Sequence, residues 1–280
     1  MFKILEKDVL ANDIVKMVID APLIAKKAQS GQFLVLRTHD KGERFPLTIA
    51  DHDREKGTVT IIFAQIGKST RQLGQLNKGE DILDVVGPLG VASHFDSSLK
   101  NVAVIGGGLG CAIALPQAKT LHNMGVKVDM IAGFKTKDVI ILEEAMKAVS
   151  DNLYISTDDG SYGTHGFVTD VLKERIESGE KYDLVVAIGP IPMMKFVSAL
   201  TKPLGIKTLV SMNPVMIDGT GMCGGCRLTV GGKTKFACID GPDFDGHEVD
   251  FDAAMRRLSM YDGLKEREED CNLLKTAEGK

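Results

Sequence analysis

Asp218, Cys223, Cys226 and Cys238 stand close enough in the chain to hold a metal, within the run DGTGMCGGCRLTVGGKTKFAC. Glycines at 219, 221, 224 and 225 let the backbone turn tightly around the sulfurs, because glycine reaches positive φ without steric cost. Three thiols on one glycine-rich loop predict a metal centre rather than core packing. A tetrahedral site needs a fourth ligand, and no fourth cysteine lies nearby. Asp218 stands where a C-x4-C-x2-C…C iron–sulfur loop carries its first cysteine. The spacing therefore predicts a [2Fe–2S] site with one carboxylate ligand. Structural zinc takes the same S and O donors, usually on two C-x2-C or C/H pairs, whereas this chain has one pair. A Cys223–Cys226 disulfide would leave Cys238 unexplained. Cys111 reads as a small buried residue or nucleotide neighbour, and Cys271 as a free surface thiol.

Further upstream are residues suited to anions and to a flavin. In Arg44-Phe45-Pro46-Leu47-Thr48, a fixed cation precedes a proline-stiffened segment and a hydroxyl. The arginine suits a pyrophosphate, and Thr48 can reach an isoalloxazine edge. Gly67-Lys68-Ser69-Thr70 offers backbone N–H groups at a helix start, an anion site by geometry and dipole. Gly87-Pro88-Leu89-Gly90 reads as a tight turn closing the domain. Alone, Arg44 would be a solvated charge and GKST a plain cap; in this order, before a nucleotide-type fold, they favour FAD.

From residue 101 the pattern becomes that of a nucleotide site. The apolar strand Val102–Ile105 runs into Gly106-Gly107-Gly108-Leu109-Gly110. This is not a full G-x-G-x-x-G fingerprint, since position 111 is cysteine. Three strand ends support it: Gly133-Phe134, Thr157-Asp158-Asp159-Gly160-Ser161, and Gly189-Pro190 with Met193-Met194. Ligands on such sheets sit at the C-terminal strand ends. Asp158 and Asp159 can accept from ribose hydroxyls and would repel a 2′-phosphate, and no arginine cluster follows the second strand. NAD(H) is expected over NADP(H). The plain alternative is a polar turn at TDDGSYG. No general acid or base stands out, and the histidines (39, 52, 94, 122, 165, 247) are scattered. No catalytic side chain is predicted beyond the cofactors.

The elements that must position these residues fall into three segments. Residues 1–97 carry short β-rich runs, KILEKDVL, DIVKMVID, QFLVLRTH, GTVTIIFAQ and EDILDVVGP, separated by turn formers. They predict an antiparallel flavin-binding β-barrel, with one short helix at Thr70–Leu76. Residues 98–211 alternate strands and helices, which predicts a parallel α/β nucleotide-binding domain; DVIILEEAMKAV and HGFVTDVLKERIE are expected helices. Residues 212–280 hold the cysteine loop, a hairpin about Gly231-Gly232, and a C-terminal helix around DAAMRRLSMYDGLKE. The composition suits this: 280 residues, 44% hydrophobic, 26% charged and net charge −4. The charge gives no support for nucleic-acid binding. No run reaches the roughly 18 apolar residues of a membrane span. Five cysteines are odd for a disulfide scaffold, so a cytoplasmic protein is expected.

Taken in order, RFPLT, GKST, GPLG, GGGLG, TDDGSYG and GPIPMM make the chain resemble, over essentially its whole length, the ferredoxin-reductase-like flavoproteins. Within them it resembles the branch containing the electron-transfer subunit of dihydroorotate dehydrogenase. It departs at Leu47, where the family motif carries a tyrosine, and at Asp218, where that branch has a cysteine. The run SMNPVMIDGTGMCGGC is similar instead to the small (alpha) subunit of NADH-dependent reduced ferredoxin:NADP oxidoreductase, a type also called sulfide dehydrogenase. The resemblance implies an NAD(P)H-dependent flavin oxidoreductase with FAD, NAD(H) and a [2Fe–2S] cluster. It also implies a heterodimer with a larger partner resembling the glutamate synthase small subunit. That partner would bear a second FAD and [4Fe–4S] clusters, bifurcate electrons and serve ferredoxin. The rivals are a dihydroorotate or sulfide dehydrogenase subunit and, from another class, a zinc-stabilised nucleotide-binding regulator.

Overall fold

A computed structural model describes residues 1–260; Cys271 and the end of the expected C-terminal helix lie outside them. The first segment holds β1 (Phe2–Ala11), β2 (Ile14–Asp20), helix α1 (Pro22–Ala25), β3 (Phe33–Arg37), β4 (Phe45–Asp53), β5 (Thr58–Ala64), helix α2 (Lys68–Gln75), β6 (Asp81–Ile82) and β7 (Asp84–Leu89). The strands form one antiparallel sheet in the order β6-β1-β2-β5-β4-β3-β7, a near-closed barrel. Alternation decides which side faces in: β2 buries Val15, Met17 and Ile19, and β5 buries Val59, Ile61 and Phe63, all in one core with Ile4 and Leu34. The expected tight turn at Gly87–Gly90 is corrected, because Gly87–Leu89 belong to β7. A Cβ at Gly87 would lie 2.5 Å from Leu34 Cδ2, so this glycine permits strand packing rather than a reversal.

The second segment contributes β8 (Asn101–Gly107), α3 (Gly110–Asn123), β9 (Lys127–Phe134), α4 (Glu143–Lys147), β10 (Asn152–Thr157), β11 (Thr164–His165), α5 (Val168–Glu177), β12 (Leu184–Ile188), α6 (Ile191–Thr201) and β13 (Lys207–Ser211). Their strands are parallel. Two expected helices are shorter than their sequence patterns. Over 138–149 only Glu143–Lys147 is α-helical, since Leu142 takes a left-handed φ of 59°. Ile140 and Ile141 are drawn onto the core beside α3, and this tertiary burial outweighs helix propensity. At 165–177 the helix begins at Val168, after His165 has joined the sheet edge.

After β13 the chain makes the cysteine loop. It then forms the hairpin β14 (Arg227–Val230) and β15 (Lys233–Phe236), the short α7 (Ala237–Asp240), β16 (Asp243–Asp245) and α8 (Phe251–Ser259). β16 returns to the second sheet as an antiparallel edge on β13, giving the order β11-β10-β9-β8-β12-β13-β16. One continuous core joins Phe33 and Val35 of the barrel, helices α5 and α6, and Cys226, Leu228, Ala237 and Cys238. The sulfur loop is therefore seated on both other segments.

Candidate functional site

The barrel and the parallel sheet face each other across a cavity of about 1060 Å³. That is at the upper end of the roughly 300–1,000 Å³ of small-molecule pockets, so a dinucleotide-sized molecule has room. The barrel wall is Phe33, Pro46, Leu47, Thr48, Ile62, Ala64 and Ile66. Thr48 is held there by β4 pairing with β3, opposite Phe33. The facing wall is the C-terminal edge of the parallel strands: Gly107 at the end of β8 with Gly108 and Gly110 after it, Asp158 after β10, and Gly189 and Pro190 after β12.

Close approach requires glycine at Gly110, where backbone is in the way, and favours it at Gly107, where the Met193 side chain would have to move. A Cβ on Gly110 would sit 2.2 Å from the Ile188 carbonyl oxygen, and one on Gly107 would sit 2.6 Å from Met193 Sδ. Gly108 instead has φ +55° and open space around its Cα. Its N–H is spent on the Gly133 carbonyl, which fixes the loop as the rim of the cavity. Cys111 is fully buried, and burial pushes its thiol up to about 12. It is a neutral packing residue beneath the rim.

Several expected site residues lie outside the cavity lining. Arg44 is exposed on the approach to β4. Gly67 caps α2, where the Thr70 hydroxyl accepts from its N–H, and Ser69 donates to Glu43 at 2.8 Å; beside them only Ile66 reaches the lining. Lys68 is exposed. Gly90 packs against the Phe33 ring, and Gly106 against Cys111. Asp159 binds the Ser161 N–H and hydroxyl, hydrogen bonds that hold its carboxyl below the usual range. Gly160 turns beneath His165 at φ +72°.

Sequence reasoning missed Ser156, Phe167 and Phe196. Phe167 and Phe196 line the cavity yet stay 63% and 64% exposed, an apolar rim. Ser156 is 1% exposed, and its hydroxyl has no hydrogen-bond partner among the described residues although the residue lines the cavity. A buried hydroxyl left unpaired is costly; a bound ligand would satisfy it. Only Phe167, at the start of the amphipathic helix α5, carried a usable signal; Phe196 is one more apolar residue in the mostly apolar α6.

The loop at 218–238 begins where the cavity ends: Met212, Asn213, Pro214 and Met216 line it. Gly219, at φ +74°, lies against Val35 and Leu89 of the barrel, where a Cβ would stand 3.0 Å from each side chain. Cys226 and Cys238 are buried with their sulfurs 3.2 Å apart; burial, then the neighbouring Cys226, pushes the Cys238 thiol up to about 12. Cys223 is exposed at the loop tip, its sulfur accepting from Gly225 N–H at 3.4 Å. Asp218 accepts from Thr220 N–H at 2.8 Å and Cys223 N–H at 2.7 Å. Those bonds, Thr220 first, hold its carboxyl below the usual range.

This donor set fits a metal. Two thiolates on one tetrahedral ion, about 2.3 Å from it, stand roughly 3.8 Å apart, a small opening of the Cys226–Cys238 pair. Each Asp218 oxygen keeps a second lone pair. Among the described residues no three such side chains already converge at metal distance. Ligation therefore asks the exposed Cys223 tip to close onto the buried pair.

The near-closed antiparallel barrel, the parallel α/β sheet and the appended sulfur loop define a ferredoxin-reductase-like reductase. The model of the iron-sulfur cluster binding domain of dihydroorotate dehydrogenase B matches residues 213–250. A Thermotoga maritima homolog of the dihydroorotate dehydrogenase B (NAD(+)) electron transfer subunit is 44% identical, over 92% of this chain and 91% of its own. A Clostridium beijerinckii protein in the adh 3′ region is 53% identical, over 93% and 90%. A chain from the structure of NADH-dependent reduced ferredoxin-NADP oxidoreductase, described for flavin-based electron bifurcation, superposes with TM-score 0.91. It is 41% identical and covers 98% of each chain. The chain belongs to the dihydroorotate dehydrogenase B electron-transfer subunit family. No described helix is long and apolar enough to cross a membrane.

Proposed function

We propose that this chain is the NAD(H)-linked small (alpha) subunit of a complex of the NADH-dependent reduced ferredoxin:NADP oxidoreductase type. In this reading it holds FAD, NAD(H) and a [2Fe–2S] cluster and works in the cytoplasm. The observation that carries the reading is the shared wall: Met212, Asn213, Pro214 and Met216 line the large cavity, and the sulfur loop starts two residues later. When bound, a flavin takes electrons in pairs and gives them singly, and an iron–sulfur cluster carries them one at a time.

The chain's own residues divide the work. Pro46, Leu47 and Thr48 shape the flavin side, with Arg44 and the Gly67–Thr70 helix start toward its phosphates and Gly87 and Gly90 behind. Gly106, Gly107, Gly108 and Gly110, with Gly189 and Pro190, form the nucleotide edge. Asp158, Asp159 and Gly160 sit at the adenosine ribose and disfavour a 2′-phosphate. Asp218, Cys223, Cys226 and Cys238 hold the cluster. Cavity lining supports part of this set, and chain order the rest. The whole-length likeness to the bifurcating enzyme's chain supports a larger partner resembling the glutamate synthase small subunit. That partner would carry FAD and [4Fe–4S] clusters and reach ferredoxin and NADPH.

A visible spectrum, metal analysis and EPR of the purified protein test the cofactor set. Flavin absorption with iron and labile sulfide is expected; zinc without iron, and no flavin, would refute it. Michaelis constants should favour NADH, and a clear preference for NADPH would overturn the ribose assignment. A second reading, the electron-transfer subunit of a dihydroorotate dehydrogenase, is favoured by the match at residues 213–250. The protein that co-purifies separates the two: a flavoprotein with [4Fe–4S] clusters, or one that oxidises dihydroorotate.

A further inference from the structure

Two consecutive peptide groups between Cys223 and Cys226 are each held from outside by an arginine. Arg227 Nη1 donates to the Gly224 carbonyl at 3.3 Å. Arg257 Nη2, reaching over from α8, donates to the Gly225 carbonyl at 3.1 Å. A trans peptide points its C=O and N–H in opposite directions. With the Gly224 carbonyl turned to Arg227, the N–H of Gly225 must face the other way, and it donates to Cys223 Sγ at 3.4 Å. By the same geometry, Arg257 turns the Cys226 N–H away from itself.

Arg257 is aimed by its helix. Phe251 and Ala254 anchor α8 in the core, Asp250 caps it by accepting from Ala253 N–H, and Lys195 of α6 pairs with Asp252. The arginine is half-buried and borders the small gap walled by Ile191, Pro214, Val215 and Leu228 beneath the loop. Neither arginine is needed as a ligand, yet both end on the backbone that carries two of the three sulfurs.

We propose that Arg227 and Arg257 are positioning residues that clamp the Gly224–Gly225–Cys226 backbone, so that the Gly225 N–H stays aimed at Cys223 sulfur, and raise the reduction potential of the metal centre. Hydrogen bonds to sulfur and local charge are recognised determinants of iron–sulfur potentials. The reduced centre carries one more negative charge, so donors and cations beside it favour reduction. The inference rests on the reading that an iron–sulfur cluster occupies this loop.

The test is a redox titration of the purified, cofactor-loaded protein, followed by the EPR signal of the cluster, in Arg227→Met, Arg257→Met and Arg257→Lys. The Met variants should keep wild-type iron and flavin contents and an unshifted flavin midpoint. At the wild-type cluster midpoint their reduced-to-oxidised ratio should fall by roughly 3- to 10-fold, the size of one net hydrogen bond. Arg257→Lys, which keeps a donor and the charge, should recover most of the loss. A fully loaded Met variant at the wild-type potential overturns the clamp, and so does lost iron with the remaining cluster unshifted. Wild-type protein without any iron signal fails the cluster reading itself, and the clamp with it.

Discussion

Asp218 is the residue on which the sulfur loop turns, and its present bonds state what a substitution should do. Its two oxygens hold the Thr220 and Cys223 N–H groups, so it already sets the path of the chain from the cavity wall to the first thiol. Asp218→Cys should keep iron, because a thiolate suits the position better than a carboxylate for soft metals. The variant's cluster should change both midpoint and EPR line shape; if neither moves, Asp218 is not a ligand. The iron-free variant should melt earlier, since two net hydrogen bonds of about 0.5–1.5 kcal/mol each are lost. Arg44 is a different case: it is exposed and outside the cavity lining, so its role depends on a ligand's phosphates reaching it. Arg44→Ala should weaken flavin binding by roughly 10- to 100-fold, the size of a charged hydrogen bond, with no change in folding. Flavin-to-protein ratios on dilution and desalting measure this, and wild-type retention would remove Arg44 from the site.

At the scale of elements, the glycine run between β8 and α3 separates two reasons for glycine. Gly110 is needed because a Cβ would collide with the Ile188 carbonyl at the end of β12, and Gly108 because of its positive φ in open space. Gly110→Ala should cost more than the roughly 1–3 kcal/mol typical of overpacking, since backbone must shift. Gly108→Ala should cost about 1–2 kcal/mol. Thermal melts of the two variants should rank in that order, and a reversed ranking would show that the helix start is less tightly seated on β12. Such runs were legible in the sequence because periodicity and turn residues are local signals. The barrel strands and the β–α alternation were legible for the same reason. What escaped was set by distant contacts. Ile140 and Ile141 leave a helical pattern to reach the core, Gly87 sits in a strand because β7 pairs with β3, and β16 is a three-residue edge at DFD. Ser156 was hidden too, as one of three hydroxyl side chains in the six-residue strand β10. Its unpaired state becomes visible only once its neighbours are known.

At the scale of the molecule, the three segments meet at a buried polar junction centred on Asp243. Its Oδ2 accepts from the Ser93 hydroxyl, in the linker after the barrel, at 2.5 Å, and from Gln117 of α3 at 3.1 Å. Thr120 and Ser30 continue the network into the barrel at 3.2 Å. Asp243 Oδ1 and Gln117 Oε1 are buried with no partner among the described residues, so the ionised carboxylate is poorly served. Burial raises the Asp243 carboxyl above its ordinary value, against hydrogen bonds from Ser93, Ser211 and Gln117 that pull it down. The native protein thus keeps this proton to higher pH than the unfolded chain does. The stabilising contribution is complete below the ordinary carboxylate value and is lost as pH rises through the raised native value. Asp243→Asn keeps the shape, stays neutral at every pH and cannot show this loss. The difference in Tm, variant minus wild type, should therefore grow from pH 4 toward pH 7 and level off once the native carboxyl has ionised. A gap that stays flat across that range would mean that Asp243 ionises normally despite its burial. The junction would then be held by its hydrogen bonds alone.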